Sequence, residues 1–359
     1  MRKGLSALLV LSVVLSGVSL AGVGPWEVLG EVSDRLYSTG FNGFRNQVET
    51  RVRAAGRVLY GAFTDRVEAA NPFFDPERAV RLRSARGGTG NWVGSPSSLA
   101  VRGEGIYLYT RSRGPERRGF RGSIIQLGSR METIWTVHKE EIGALSIEGA
   151  AIGKRDGGYV LYLSYQNGSS GRWEIMKMTS SSISGFQPSE ARRLRFDTGF
   201  THYKDPVLHD GKLYVHASSS SFTEQATLVY RTGDSGPEYL REISFGPGSG
   251  RAPRLDSILD VNGSQLVFYD WRPSIFHVTQ ERSRYGFLRN GKVFVGSDPG
   301  EAIRSSAGSG ALRYMSVELF NGSAWFFYER SERDGGHGVY MNRVPAETFR
   351  STVSSLKKE

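Results

Sequence analysis

The sequence predicts an all-β chain, a five-bladed β-propeller preceded by an N-terminal amphipathic helix, and three observations lead there. Glycine accounts for 45 of the 359 residues. Beyond residue 90, short runs rich in Tyr, Phe, Val and Leu alternate with Gly, Asn, Asp and Ser, the texture of strands and tight turns. The runs Gly105-Ile-Tyr-Leu-Tyr109, Gly158-Tyr-Val-Leu-Tyr162, Gly211-Lys-Leu-Tyr-Val215, Gly263-Ser-Gln-Leu-Val-Phe-Tyr269 and Gly322-Ser-Ala-Trp-Phe-Phe-Tyr328 then repeat, their leading glycines 53, 53, 52 and 59 residues apart. A repeat of roughly 50 residues made of strands and hairpins has the length of one four-stranded blade.

Each repeat begins with a strand ahead of its turn: Ser95 to Leu99, Glu148 to Ile152, Asp205 to Leu208, Asp256 to Leu259 and Ser316 to Leu319. These are the predicted innermost strands. Third strands are expected at Gly122 to Leu127 and Arg172 to Met178, completing a meander. A two-layer sandwich gives no reason for a five-fold period. Three Asn-Gly-Ser triplets begin at Asn167, Asn262 and Asn321. They match a glycosylation pattern, but tight hairpin turns account for them, because Asn-Gly supplies the positive backbone angles such turns require.

Four segments follow. Residues 1–21 carry Met1-Arg2-Lys3, an apolar run and a small-residue exit at Ala21, which predicts an export signal, with a retained anchor as the alternative. Residues 22–89 form a helical extension in which Phe41, Phe44, Val48, Val52, Ala55, Leu59, Ala62 and Phe63 recur at helical spacing until Asn71-Pro72 stops them. That helix is expected to pack on the main domain, or else to associate with a membrane or envelope surface. Residues 90–345 form the propeller and 346–359 a tail.

The chain has no cysteine, so disulfides, thiolate nucleophiles and cysteine metal sites are excluded. No histidine pair has zinc spacing, and neither metal nor cofactor is expected. The net charge of +10 is scattered over the sequence. With no basic run interleaved with aromatics, this suggests attraction to acidic polymers and argues against nucleic acid. A secreted or extracytoplasmic monomer is expected.

In a propeller the heads of the innermost strands converge on the axis, so Glu148, Asp205, Asp256 and Glu318 are expected around one cavity. Carboxyl groups brought together push one another's pKa apart, leaving one protonated as an acid and another ionised as a base. Glycosidic cleavage uses such a pair. Glu148 or Glu318 is the expected proton donor, tuned by Asp205, with Asp256 on the base side or gripping substrate. Each of these acids also has a plain reading as a cap or ion-pair partner. Trp92, Ser95, His202, Lys204, Arg251 and Arg254 are the expected substrate contacts.

The segments Lys204-Asp-Pro-Val-Leu-His-Asp-Gly-Lys-Leu-Tyr214, Ser146-Ile-Glu-Gly-Ala-Ala-Ile152 and Gly171-Arg-Trp-Glu-Ile175, in order and at blade spacing, resemble the five-bladed propeller glycosidases (arabinanases, xylosidases, invertases) and the related mannoside phosphorylases. The resemblance covers residues 90–345 and implies a glycoside hydrolase. Two departures accompany it. Arabinanase-like relatives place an aspartate before the first-blade proline as base, where this chain has Ser95-Pro96. The phosphorylases carry Glu-Asp-Pro-Arg in the second blade, where this chain has Glu148-Gly149-Ala150-Ala151. The resemblance therefore also admits a propeller that binds glycans without cleaving them, or a phosphorylase that holds phosphate on Arg251, Arg254 and Lys204.

Overall fold

The computed structural model describes residues 71–357 apart from 86, 156, 234–235, 247–252, 272–280 and 296–302. The predicted export signal, the helix expected to end at Asn71-Pro72 and Arg251 lie outside the described residues.

The strands fall into four-stranded antiparallel meanders in the predicted order. The first group is β2 (Trp92–Val101), β3 (Gly105–Gly114), β4 (Arg118–Leu127) and β5 (Met131–His138). The second is β6 (Ala144–Arg155), β7 (Gly158–Asn167), β8 (Trp173–Ser180) and the short β9 (Arg192–Arg193). The third is β10 (His202–His209), β11 (Lys212–Ser218), β12 (Gln225–Gly233) and β13 (Gly236–Phe245). The fourth is β14 (Arg254–Val261), β15 (Ser264–Trp271), β16 (Arg282–Arg289) and β17 (Lys292–Val295). In the fifth, β18 (Leu312–Phe320), β19 (Ser323–Ser331) and β20 (His337–Pro345) take their fourth strand from the other end of the sequence, β1 (Val80–Ser84).

Turn chemistry fixes the hairpins between first and second strands. Asp210-Gly211, Asn262-Gly263 and Asn321-Gly322 all have positive φ at both residues, the geometry of two-residue turns that match strand twist. Asn167 works differently, its Oδ1 accepting the N–H groups of Ser169 and Ser170 at 2.8 and 3.1 Å.

Apolar side chains fill each seam between consecutive groups. Tyr109 and Trp135 meet Leu161 and Met176. Tyr162 meets Val215 and Tyr230, and Tyr214 meets Val267 and Leu288. Phe268 and Phe287 meet Phe326 and Leu312, and Phe327 and Val339 return to Ile106 and Leu108 of the first group. This last seam joins the end of the repeat to its beginning.

Two boundaries differ from the sequence reading. The segment assigned to a helical extension, 22–89, contains β1 and its lead-in. Phe73 and Phe74 are buried in the seam between the fourth and fifth groups, and Arg330 donates to the carbonyl of Pro76 and to the carboxylate of Glu77. β1 was illegible because Val-Arg-Leu-Arg-Ser is short, charged and mostly exposed on a sheet edge. The segment read as a tail forms helix α1 (Ala346–Leu356), which buries Phe349 and Val353 against the same seam.

Candidate active site

Every innermost strand carries an irregularity at the same place, where its pairing with the second strand shifts register: between Gly94 and Ser97, Ile147 and Ala150, Lys204 and Val207, Leu255 and Ser257, and Arg313 and Ser316. A bulge turns a side chain out of the pleat. The residues displaced are Ser95, Glu148, Asp205, Asp256 and Tyr314. Three of them, Ser95, Asp205 and Tyr314, are non-glycine residues at φ 54°, 49° and 54°, an uncommon conformation that is a reason to look for function there.

Ser95, Asp205, Asp256 and Tyr314 line one cavity of about 80 Å³ together with Gly149, Ser98, Ser316 and Glu318. Such a volume accepts a few waters, whereas ligand pockets run to roughly 300 Å³ and more, so the cavity is the inner end of any site. Gly149 keeps it open: a Cβ there would lie 2.9 Å from Asp205 Oδ1 and 3.1 Å from Ser95 Oγ.

Glu148 turns aside from this cavity. It pairs with Arg111, stands 3.8 Å from Arg113 through its other oxygen, and its backbone carbonyl accepts the Tyr109 hydroxyl at 2.9 Å. Glu318 lines the cavity but sits four residues beyond the fifth-strand bulge, beside Ser98 and Ser316. The bulge position that sequence reading gave to Glu318 belongs to Tyr314, because the Arg313-to-Ser316 shift sits earlier in β18 than the acidic pattern suggested.

An alternating chain of buried charges runs behind the cavity. From Arg113 it passes to Glu148, Arg111, Glu329, Arg313, Glu281, Arg254, Asp205 and Lys204, each in ion-pair contact with the next. Asp270 also pairs with Arg254, and His337 sits 2.6 Å from Glu329. Glu329 accepts from both Arg313 nitrogens at 2.7 and 3.0 Å and from the Ser95 N–H at 3.0 Å. The Tyr314 hydroxyl accepts from Arg254 at 3.1 Å, and the Arg254 guanidinium lies 3.9 Å over the Tyr314 ring.

These surroundings set the protonation states. Burial would push Asp205 up, but Lys204, Arg254 and His216 outweigh it and hold the carboxyl well below the usual carboxylate range. Its Oδ2 meets Lys204 at 3.2 Å and Arg254 at 3.3 Å, while Oδ1 is buried without a hydrogen-bond partner. Asp256 moves the other way. Burial, reinforced by the charge of Asp270, keeps it protonated well above the usual range, although Arg254 lies 3.7 Å away and the Met315 N–H donates to it. Arg254 therefore stands between an ionised Asp205 and a protonated Asp256 on adjacent inner strands.

Burial also raises Glu318, to about 7, against the Ser98 hydroxyl and the backbone at Ala100. The unfolded chain loses this proton near pH 4.5 and the folded chain near pH 7, so the folded state loses stability as pH rises through that window. Glu318→Gln is expected to be nearly neutral at pH 4.5 and stabilising, by roughly 1–3 kcal/mol, at pH 8. Urea denaturation at the two pH values checks this, and a pH-independent effect would contradict it.

The other sequence candidates are placed as follows. Trp92 is 4% exposed, stacked on His337 with centroids 4.6 Å apart and flanked by the guanidinium groups of Arg113 and Arg313. It is packing beneath the site and offers no free sugar platform. His202 accepts the Trp173 N–H through Nδ1 at 3.1 Å and stacks on Phe222. Burial, then Arg172 and Lys204, lower its pKa, so a neutral imidazole fixes the head of β8. Lys204 and Arg254 meet Asp205 directly. Sequence reading missed Arg111, Asp270, Glu281, Arg313, Tyr314 and Glu329. A signal existed for three of them: Arg111 follows the repeated strand tyrosine Tyr109 by two residues, while Asp270 and Glu329 follow Tyr269 and Tyr328 by one.

No protein-family model matches the sequence, and a search of curated proteins returns no match. Solved structures do match. The fold is similar to that of a GH43 enzyme from Xanthomonas citri complexed with xylotriose, with TM-score 0.53 and 13% identity over 73% of this chain and 90% of that one. It is likewise similar to a GH43 β-xylosidase/α-arabinofuranosidase from a compost microbial metagenome, with TM-score 0.52 and 13% identity over 73% and 95%. A Bombyx mori GH32 β-fructofuranosidase matches with TM-score 0.50 and 13% identity over 84% of this chain and 67% of that one. At this identity the likeness establishes the all-β fold that this chain shares with those structures.

Proposed function

We propose that the chain is an exported glycoside hydrolase built as a five-bladed propeller, the five meanders being its blades, and that Asp205 and Asp256 are its working carboxyl pair. The observation that carries this reading is their opposite poise on one cavity wall: Asp205 ionised with a free buried oxygen, Asp256 held protonated, and Arg254 between them. Two titratable groups driven apart by their surroundings are the signature of an assigned base and acid. Asp256 is the proton donor to the leaving oxygen, and Asp205 acts from the base side with the Ser95 hydroxyl beside it. This reverses the roles expected from sequence, since Glu148 is engaged by Arg111 and Arg113. The saccharide lies across the mouth, because a cavity of about 80 Å³ is too small to enclose it. The xylotriose held by one of the similar structures supports a glycan as the ligand class.

A second reading, binding without cleavage, is favoured by one observation: Ser95 stands at the first-group bulge, where the second, third and fourth groups carry Glu148, Asp205 and Asp256. A panel of oligosaccharides assayed for reducing-end release, with and without inorganic phosphate, separates the possibilities. Release without phosphate supports hydrolysis. Phosphate-dependent release indicates phosphorolysis, and binding without release indicates the second reading.

A further inference from the structure

Beside the bulges that carry Glu148 and Asp205, taken as the mouth of the proposed site, the cationic side chains outnumber the acids that pair with them. Arg118 opens β4 at φ 53°, a left-handed conformation rare outside glycine. The residue after it, Gly119, packs so closely on the second group that a Cβ would fall 1.8 Å from the Ile147 carbonyl oxygen, and its N–H donates to Ser146 Oγ at 3.0 Å. That contact places Arg118 next to the Glu148 bulge. From there its guanidinium lies 6.0 Å from the Trp173 ring centroid, and Lys204 Nζ lies 5.9 Å from the same ring. Arg172 precedes Trp173 and is exposed. Arg113 completes the arc, its side chain 32% exposed and its guanidinium 4.6 Å from the Trp92 ring.

The acids facing this arc are shared with cations outside it. Glu148 lies between the buried Arg111 and Arg113, Asp205 between the buried Arg254 and Lys204, and Glu174 pairs with Arg193 at 2.8 Å. Neither Arg118 nor Arg172 has a carboxylate within ion-pair distance among the described residues. Two groups on opposite sides register the surplus. Burial, then Arg111, Arg118 and Arg313, bring Arg113 down to about 10 against the pull of Glu148, and Arg172 and Lys204 add to the lowering of His202. Like charges held together around an aromatic ring cost stability unless an anion joins them.

We infer that the saccharide taken at this mouth is anionic, its carboxylate or sulfate groups held by Arg113, Arg118, Arg172 and Lys204 around Trp173. The inference rests on the glycoside-binding reading of the site and names the class of glycan that reading leaves open. Guanidinium groups suit both anions, since each offers paired oxygens to a planar fork.

The test is calorimetric titration of the full chain with hexagalacturonate (carboxylate), κ-carrageenan hexasaccharide (sulfate without carboxylate), and neutral xylohexaose and arabinohexaose. Each is run at low salt and at 0.3 M salt, beside the Arg118→Gln/Arg172→Gln double variant. Both of those side chains are exposed and lie outside the carboxyl pair, so the variant should melt with the parent. The expected result is preference for one or both anionic ligands. That preference should weaken with salt and fall roughly tenfold or more in the double variant at low salt. Whichever of hexagalacturonate and κ-carrageenan binds identifies the anion. Neutral oligosaccharides bound or cleaved in preference would overturn the inference while leaving the hydrolase reading intact. Anionic ligands bound but not cleaved would uphold it and remove the hydrolase reading. Binding of none of the four would overturn both.

Discussion

Asp205→Asn is expected to lower glycan hydrolysis by about 10²- to 10⁴-fold, the range general acid or base groups supply, with folding nearly unchanged. The amide has the same shape and keeps a carbonyl oxygen for Lys204 or Arg254, but it can neither take a proton nor carry the negative charge that complements an oxocarbenium-like transition state. Folding should tolerate the change because Arg254 retains Asp270 and Glu281 as counter-ions. Lys204 keeps part of its side chain in water. Binding is the informative control. If the glycan is anionic, removing a carboxylate from the mouth should leave affinity unchanged or raise it, while turnover collapses. Parallel measurement of product release, ligand affinity and melting temperature resolves the three effects. Turnover within a few-fold of the parent would remove Asp205 from the chemistry, and loss of affinity equal to the loss of turnover would make it a ground-state binding group.

The pH profile of the parent carries the same logic. Asp205 is ionised down to strongly acid pH and Asp256 protonated well above the ordinary range. For the proposed pair, the state with one group ionised and one protonated spans the interval between the lowered Asp205 and the raised Asp256, wider than for two ordinary carboxyl groups. A narrow acidic optimum would require a different pair.

How much of this was legible in the sequence follows from what each feature depends on. The period of the Gly-led strands appears because every repeat needs the same turn and the same two-sided burial, and Asn262-Gly263 and Asn321-Gly322 adopt the positive φ values their identity predicts. Asp205 was recognisable because its Lys204-Asp-Pro206 setting combines charge and turn chemistry in three adjacent residues. Protonation was not readable, since the poise of Asp256 arises from Asp270 on the next strand and from depth of burial. β1 and α1 escaped because their partners are distant in sequence: β1 pairs with β20, and Phe349 lies 5.7 Å from Phe73. Trp92 was misread for a related reason. An aromatic at a strand head is a sugar platform only if one face is free, and its faces are occupied by His337 and two arginines that come from other strands.

Glu329→Gln is expected to cost about 3–5 kcal/mol of folding stability, the range for breaking a buried ion pair from one side. The reason is where Glu329 sits. It is wholly buried in β19, the second strand of the last group, yet it accepts from Arg111 on the first group, from the Ser95 N–H at the first bulge, and from Arg313 and His337 on its own group. Gly94 exists at the point of contact because a Cβ there would stand 1.6 Å from Glu329 Oε2. The carboxylate thus ties the last group of strands to the first, at the seam between the two ends of the repeat. Burial alone would raise its pKa, but Arg313, His337 and Arg111 hold it well below the ordinary value. Its contribution is fully present above the unfolded pKa and is lost progressively as pH falls from there through the lower folded value. The amide keeps the volume and one acceptor, leaving two buried guanidinium groups short of a counter-charge. Urea denaturation of parent and variant at pH 7 measures the cost. A loss below about 1 kcal/mol would mean that the remaining acids, Glu148 for Arg111 and Glu281 for Arg313, suffice to neutralise the network, and that the apolar seam of Phe327, Val339, Ile106 and Leu108 joins the last group to the first without it.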